Sequence, residues 1–447
     1  MASPKRVYFG TDGVRGKVGE IPLTADFALK LANAAVRVLA PSGGTVLIGK
    51  DTRLSGYMFE SSLEAGLVSA GVDVLLAGPL PTPGVAYMTK QLNCAFGIVI
   101  SASHNLYDDN GIKFFNGNGV KISDELELEI EKLLAEPPVT VESTRLGRAK
   151  RIDGSRARYQ EFCASTLPKG TDLSGMKLVV DCAHGATYKV APRTLMDLGA
   201  DTVSIGVSPN GRNINDKFGS TAPQIMQLLT RDLGADAGLA FDGDGDRLLM
   251  SDTEGNLING DQILYILAKD KQEAGTLKGP VVGTLMTNLG LELGFAELGI
   301  PFKRAKVGDR YVLEMLEAES GILGGEASGH ILMLDLATTG DALMTALRVL
   351  SIMKKTGRSL KELVGDIQQF PQLIVNVEVE KTFDPLEVPS IKAALHEAEG
   401  RLGKTGRIVL RASGTEPLIR VMVEAQDAEV VKREAEALAD VVRASAA

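Results

Sequence analysis

Three aspartates at alternate positions, Asp242, Asp244 and Asp246, separated by Gly243 and Gly245 and followed by Arg247, are the strongest chemical signal in the sequence. In an extended loop, residues two apart point the same way, so the glycines let three carboxylates converge on one point. Such a set of hard oxygen ligands suits Mg²⁺ or Ca²⁺. An EF-hand is excluded: it needs Gly at its sixth position and a bidentate Glu at its twelfth, and Arg247 and Thr253 stand there. Three carboxylates leave room for phosphate oxygens in an octahedral Mg²⁺ shell.

Four further polar loops carry candidate chemistry. Ser103 is followed by His104 and Asn105. A Ser-His hydrolase reading is disfavoured, because adjacent residues rarely meet in nucleophile–base geometry and there is no GxSxG elbow. A serine that carries or accepts a phosphoryl group beside a metal site fits better. Arg411-Ala412-Ser413-Gly414-Thr415-Glu416, with Arg420 beyond, offers two guanidinium forks, two hydroxyls and the backbone N–H groups around Gly414, which suit an oxyanion. A charged hairpin turn is the bland alternative. Residues 10–16 form a Gly-rich loop with a single Arg15, and Glu326 and His330 flank Ser328 on a Gly-bounded loop suited to hydroxyl or amine recognition.

Three of these loops occupy equivalent places in an internal repeat. Each copy begins with an apolar run (46–48, 178–180, 281–282). Each continues through a helical pattern closed by glycine (Gly71, Gly199, Gly299) and a second apolar run. Short apolar runs alternating with Gly-closed helices predict βαβ units in a largely parallel sheet. A third strand in each copy, at 97–100, 238–241 and 322–323, leads directly into the Ser103, Asp242 and Glu326 loops. Ligands bind beyond the carboxyl ends of such strands, so three such loops facing one cleft would form a composite site. From about Pro371 the pattern changes to strand, helix, strand, loop, strand, helix. There, two strands joined across 411–417 predict an α+β module with an antiparallel sheet. Linkers are expected near 136–154, 253–255 and 368–371.

The chain has 447 residues, long enough for two to four domains. With 48 Lys and Arg against 57 Asp and Glu, the net charge of −9 argues against a general nucleic-acid binder. Three scattered cysteines, Cys94, Cys163 and Cys182, form no CxxC pair and read as reduced, buried thiols of a cytoplasmic protein. No apolar h-region follows residues 1–5, and no run approaches the ~18 apolar residues that span a bilayer. No membrane association is expected.

Taken together and in order, 10–16, 101–115, 242–247, 325–330 and 411–420, these motifs resemble the α-D-phosphohexomutases over essentially the whole chain. The resemblance implies three similar α/β mixed-sheet domains (1–154, 155–255, 256–368) and a smaller C-terminal α+β domain (369–447) around a central cleft. It implies that Ser103 is a phosphoserine, and that Asp242, Asp244 and Asp246 bind Mg²⁺ with the Ser103 phosphate as fourth ligand. Catalytic roles fall on Ser103, Arg15, Lys113, Arg247 and His330. Glu326 and Ser328 would read the sugar, and Arg411, Ser413, Gly414, Thr415 and Arg420 would hold the phosphate that is not transferred. Gly324-Gly325-Glu326, Val307-Gly308-Asp309-Arg310 and the run Gly111 to Phe115 resemble the branch that interconverts glucosamine 6- and 1-phosphate, feeding UDP-N-acetylglucosamine and cell-wall precursors. Ala327, where that branch usually has Gln, and Leu106, where Pro is usual, depart from its pattern. The implied activator is glucosamine 1,6-bisphosphate or another hexose bisphosphate. A homodimer is one option for the assembly. The alternatives are a phosphomannomutase/phosphoglucomutase, a Mg²⁺-dependent sugar phosphatase and a non-catalytic sugar-phosphate sensor. An anchor for a second phosphate at 411–420 argues against the phosphatase, and a serine beside a metal site argues against the sensor.

Overall fold

The computed structural model describes residues 6–10, 12–365, 367–380, 383–412 and 417–446. The chain forms two compact units, Met1–Val282 with Gly308–Gly365, and Gly283–Val307 with Asp366–Ala447.

In the first unit the run Val46-Leu47-Ile48 lies in the strand Thr45–Lys50. All three residues are fully buried, as a parallel strand covered on both faces requires. The sheet order is Val14–Lys17, Asp109–Asn116, Phe96–Ile100, Thr45–Lys50, Asp73–Pro79, Ala149–Arg151. Thr45–Lys50 is parallel to both neighbours, but Asp109–Asn116 runs antiparallel to Phe96–Ile100 and to Val14–Lys17. The same return occurs twice more. Leu248–Ser251 is antiparallel to Ala237–Phe241, and Ile331–Met333 is antiparallel to Leu323–Gly325. The sheets are therefore mixed where apolar patterning predicts largely parallel ones. The physical reason is loop length: 101–108, 242–247 and 326–330 are too short for the crossover of a dozen or more residues that a parallel neighbour needs. The three polar loops are these returns.

The first strand of each repeat also ends in the same side-chain turn. Asp51 Oδ1 accepts the Arg53 N–H and Asp181 Oδ1 the Ala183 N–H, both at 2.9 Å. Thr284 Oγ1 accepts the Met286 N–H at 3.1 Å. The second sheet runs Leu257–Ile258, Leu248–Ser251, Ala237–Phe241, Lys177–Asp181, Asp201–Ile205. The stretch 253–255, expected as a linker, is the turn of its outer hairpin. Cys94, Cys163 and Cys182 are buried and unpaired.

The helix Ala342–Thr356 begins against the aspartate loop, its Ala342 N–H donating to Gly245 O at 3.1 Å. Its N-cap, Asp341, accepts the Met344 N–H and the Tyr159 hydroxyl, both at 2.9 Å. Burial pushes the Asp341 carboxyl up to about 6. Between the unfolded value near 3.9 and about 6 the folded chain keeps a proton that the unfolded chain loses, so this group's contribution falls as pH rises through that window. Asparagine caps as well as aspartate and does not titrate. The effect of Asp341→Asn on stability should therefore become more favourable between pH 4 and pH 7, by up to about 3 kcal/mol. Urea denaturation at both pH values checks this, and a pH-independent difference would contradict it.

The second unit contains a three-stranded antiparallel sheet in the order Gln372–Glu378, Leu418–Ala425, Gly406–Ala412. Helices Pro389–Leu402 and Ala428–Ala446 cover one face, packing Ile391, Leu438 and Val442 on Ile419 and Val421. Strand alternation then puts Arg420 and Met422 on the opposite face. The fold thus comprises three mixed α/β segments and a smaller C-terminal α+β segment. Among the described residues no helix is long and apolar enough to cross a membrane.

Candidate active site

Ser103 is 1% exposed and sits at φ 52°, a left-handed backbone conformation uncommon for serine. Its N–H donates to Ser101 Oγ at 2.9 Å, and Ser101 Oγ donates to Asp51 Oδ2 at 2.6 Å. Its own hydroxyl donates to Asp242 Oδ2 at 2.7 Å. His104 Nδ1 lies 3.2 Å from Ser103 Oγ, so the neighbours do meet, contrary to the expectation from adjacency. Burial, Arg247 and Arg15 depress the His104 pKa to about 4, leaving a neutral imidazole beside the hydroxyl at pH 7.

The three aspartates converge as expected, but through a tight turn, where an extended loop was expected. Asp242 Oδ1 accepts the N–H groups of Gly245, Asp246 and Arg247, each at 3.1 Å. Gly245 makes the bend at φ 76°, and a Cβ there would lie 2.6 Å from Thr187 Cγ2. All three carboxylates are buried, with one oxygen of each within 4.8 Å of the others. Asp244 Oδ2 accepts from Thr82 Oγ1 at 2.6 Å and from Lys113 Nζ at 2.9 Å. The buried oxygens Asp244 Oδ1 and Asp246 Oδ1 have no hydrogen-bond partner among the described residues. Burial, with Asp246 and Asp244 beside it, holds the Asp242 pKa well above the carboxylate range. Burial would raise Asp246 too, but His330, Lys113 and Arg247 hold it well below. An all-oxygen set with orphaned buried carboxylate oxygens fits a hard divalent cation.

A charged network surrounds this cluster. Lys113 Nζ is 2.9 Å from Asp244 Oδ2 and 2.9 Å from Asp12 Oδ2. Arg15 pairs with Asp12, and Lys121 Nζ reaches Asp12 Oδ1 at 2.5 Å while also pairing with Asp309. His330 lies between Asp246 Oδ2 and Asp309 Oδ2, 3.6 Å from each. Burial works to lower its pKa, but those carboxylates raise it above the ordinary value. Arg247 forms an antiparallel bridge with His330, and its Nε is 4.0 Å from Asp246 Oδ1. Glu326 Oε1 accepts the Gly308 N–H at 3.0 Å, and Ser328 is exposed on the loop between them and His330.

In the second unit Arg411 and Arg420 stand directly opposite each other on adjacent strands. With Ile374, Asn376, Val409, Met422, Met286 and Val307 they line a concavity of about 410 Å³. Burial and the facing Arg420 lower the Arg411 pKa. Like charges directly opposite disfavour the sheet, and an anion between them would remove that repulsion. Ser413, Gly414 and Thr415 lie outside the described residues.

The structure thus groups Ser103, Asp242, Asp244, Asp246, Lys113, Arg247 and His330, with Arg15 joined through Asp12. Sequence reasoning missed Asp12, Lys121, His104 and Asp309 as members of this network. Asp12 and Asp309 stand in motifs already singled out, and His104 adjoins Ser103; Lys121 carries no local signal.

Models of all four domains of the phosphoglucomutase/phosphomannomutase family match the chain: domain I at 6–138, II at 157–255, III at 259–370 and the C-terminal domain at 374–441. The chain belongs to this family. Phosphoglucosamine mutase 1 of Shewanella amazonensis is 55% identical over 442 residues, covering 99% of both chains. Phosphoglucosamine mutase of Thiobacillus denitrificans is 54% identical over 450 residues, covering 99% of this chain and 98% of its own. A phosphoglucomutase/phosphomannomutase family protein of Burkholderia thailandensis shares the fold with a TM-score of 0.82 at 23% identity, covering 97% of each chain.

Proposed function

We propose that the chain interconverts glucosamine 6-phosphate and glucosamine 1-phosphate, with Ser103 as phosphoryl carrier and a bisphosphorylated sugar as intermediate. The observation that carries this reading is Ser103 Oγ, 2.7 Å from Asp242 in a buried cluster of three carboxylates. The amino-sugar preference rests on the phosphoglucosamine mutases at 54–55% identity. The glucose/mannose and phosphatase alternatives have no comparable support.

Asp242, Asp244, Asp246 and an oxygen of phosphorylated Ser103 would hold Mg²⁺, which when bound offsets charge on the transferring phosphoryl group. Lys113, kept charged by Asp12 and Asp244 against the cost of its burial, and Arg247 add positive charge at the same place. A sugar hydroxyl takes the phosphoryl group from Ser103, freeing Ser103 Oγ to accept one from the sugar's other end after reorientation. In the net exchange the sugar hydroxyl's proton ends on the freed Ser103 Oγ, while His330, held between Asp246 and Asp309, and Arg15, paired with Asp12, keep these carboxylates in place beside it. Glu326 and Ser328 read the sugar. Arg411, Arg420 and the loop of Ser413, Gly414 and Thr415 hold the other phosphate. This reading takes glucosamine 1,6-bisphosphate as activator, four domains dividing near 154, 255 and 368, and a cytoplasmic location.

Intact mass before and after incubation with glucosamine 1,6-bisphosphate tests the reading: one added phosphoryl group that Ser103→Ala cannot take is expected. An unmodified chain that carries no phosphoryl group either before or after incubation would refute it. A further expected result concerns the anchor. Arg420→Ala removes a charge-assisted contact of roughly 1.5–3 kcal/mol, about tenfold to a hundredfold in affinity. Steady-state kinetics should show the loss in both reaction directions; loss in one direction alone would mean the loop serves one sugar orientation.

A further inference from the structure

The loop that carries Ser103 is gripped by two side chains from outside its own hairpin. Arg53 is fully buried, and all five of its N–H groups are used. Nε donates to Asp51 Oδ2 at 2.8 Å. Nη2 donates to Ser103 O at 3.1 Å and Asn105 O at 2.8 Å, and Nη1 donates to Asp109 O at 3.0 Å and to Leu106 O. The second grip comes from the neighbouring repeat. Asn215, 4% exposed, donates from Nδ2 to Ser103 O and to Asn105 O, both at 2.9 Å. Both partners are carbonyls, which fixes the amide with its nitrogen toward the loop.

Asn215 also sits where the serine and aspartate loops meet. A Cβ on Gly243, between Asp242 and Asp244, would lie 2.5 Å from Ser103 O and 2.7 Å from Asn215 Nδ2. Glycine at 243 therefore leaves the space in which Asn215 reaches Ser103. The Ser103 carbonyl, held by Arg53 on one side and Asn215 on the other, fixes the peptide plane after Ser103. With the Ser103 N–H held by Ser101 Oγ at 2.9 Å, both planes flanking the Ser103 Cα are fixed at φ 52°, and with them the direction of the Cα–Cβ bond that carries the hydroxyl. Serine does not favour this backbone conformation, so a chain lacking the grip would relax away from it.

We propose that Asn215, together with Arg53, is a positioning residue that holds Ser103 in its left-handed conformation and so aims its oxygen at the aspartate cluster for phosphoryl transfer. This rests on the reading of Ser103 as phosphoryl carrier. Neither residue touches the sugar in this scheme, so each acts on the rate of transfer and leaves substrate affinity alone. Asn215 is itself at φ 59°, which asparagine and glycine both tolerate.

The test is Asn215→Gly, which keeps the backbone conformation and removes both donors. Arg53→Lys, which keeps a cation for Asp51 but has three donors in place of five, is the second variant. Single-turnover phosphorylation by glucosamine 1,6-bisphosphate, followed by intact mass, gives the transfer rate; steady-state kinetics give KM for glucosamine 6-phosphate; thermal melting reports the fold. Displacing a reacting atom by about 1 Å costs on the order of a hundredfold, so a ten- to hundredfold slower phosphorylation with KM within about twofold is expected for Asn215→Gly. A purely structural role would instead lower the melting midpoint and raise KM together, and that outcome in both variants overturns the proposal. Unmodified protein that accepts the phosphoryl group no faster than Asn215→Gly overturns the positioning role alone. Unmodified protein that carries no phosphoryl group before or after incubation overturns the Ser103 reading and this role with it.

Discussion

Ser103→Ala is expected to lower mutase turnover at least ~10³-fold in both directions, about 4 kcal/mol of barrier, while the chain stays folded. The loss follows from removing the oxygen that carries the phosphoryl group, since no other hydroxyl among the described residues is hydrogen-bonded to Asp242. The stability loss should stay within what the fold can bear, for two reasons. Alanine and serine both bear a Cβ, so the backbone at φ 52° is no more strained in the variant. The cost is confined to Asp242 Oδ2, which loses one hydrogen-bond donor, roughly 1–3 kcal/mol for a buried acceptor left unpaired. Steady-state assays with saturating bisphosphate, beside urea denaturation, separate the two effects. Turnover within tenfold of the unmodified protein would remove Ser103 from the mechanism.

Asp244→Asn should be nearly as damaging, by a different route. It keeps side-chain volume and can still accept the Thr82 hydroxyl, but it withdraws one negative charge from a buried cluster whose remaining oxygens face each other. Lys113 retains Asp12 at 2.9 Å, so the lysine stays paired and the loop stays placed. The consequence should fall on Mg²⁺. The concentration needed for half-maximal activation should rise at least tenfold, and turnover at saturating Mg²⁺ should fall by about 10²–10³, the usual size of a lost transition-state charge partner. Mg²⁺ titration of activity, with Ca²⁺ run alongside, is the measurement. Unchanged Mg²⁺ dependence in the variant would mean that the cluster is not the metal site.

The roles separate by the distance over which residues must cooperate. The aspartate triplet, Ser103 and the arginines at 411 and 420 are legible as candidates from the chain because their pattern is local: carboxylates spaced by glycines, a serine after an apolar run, cations around a glycine. The repeat is legible for the same reason, since an apolar run followed by a Gly-closed helix states which face is buried. Local pattern does not state which edges pair. The antiparallel returns at Asp109–Asn116, Leu248–Ser251 and Ile331–Met333 follow from loops too short to cross over, a constraint on connection length and not on residue type. Nor does pattern reveal partners far apart in sequence. Lys121 carries no signal until folding places it against Asp12 and Asp309. Asn215 reads as an ordinary loop asparagine until it meets the carbonyl of Ser103. Residue type and spacing determined which atoms could do the chemistry; tertiary packing decided how they are held, because only buried, low-dielectric contact between distant segments makes those hydrogen bonds and ion pairs strong enough to orient them.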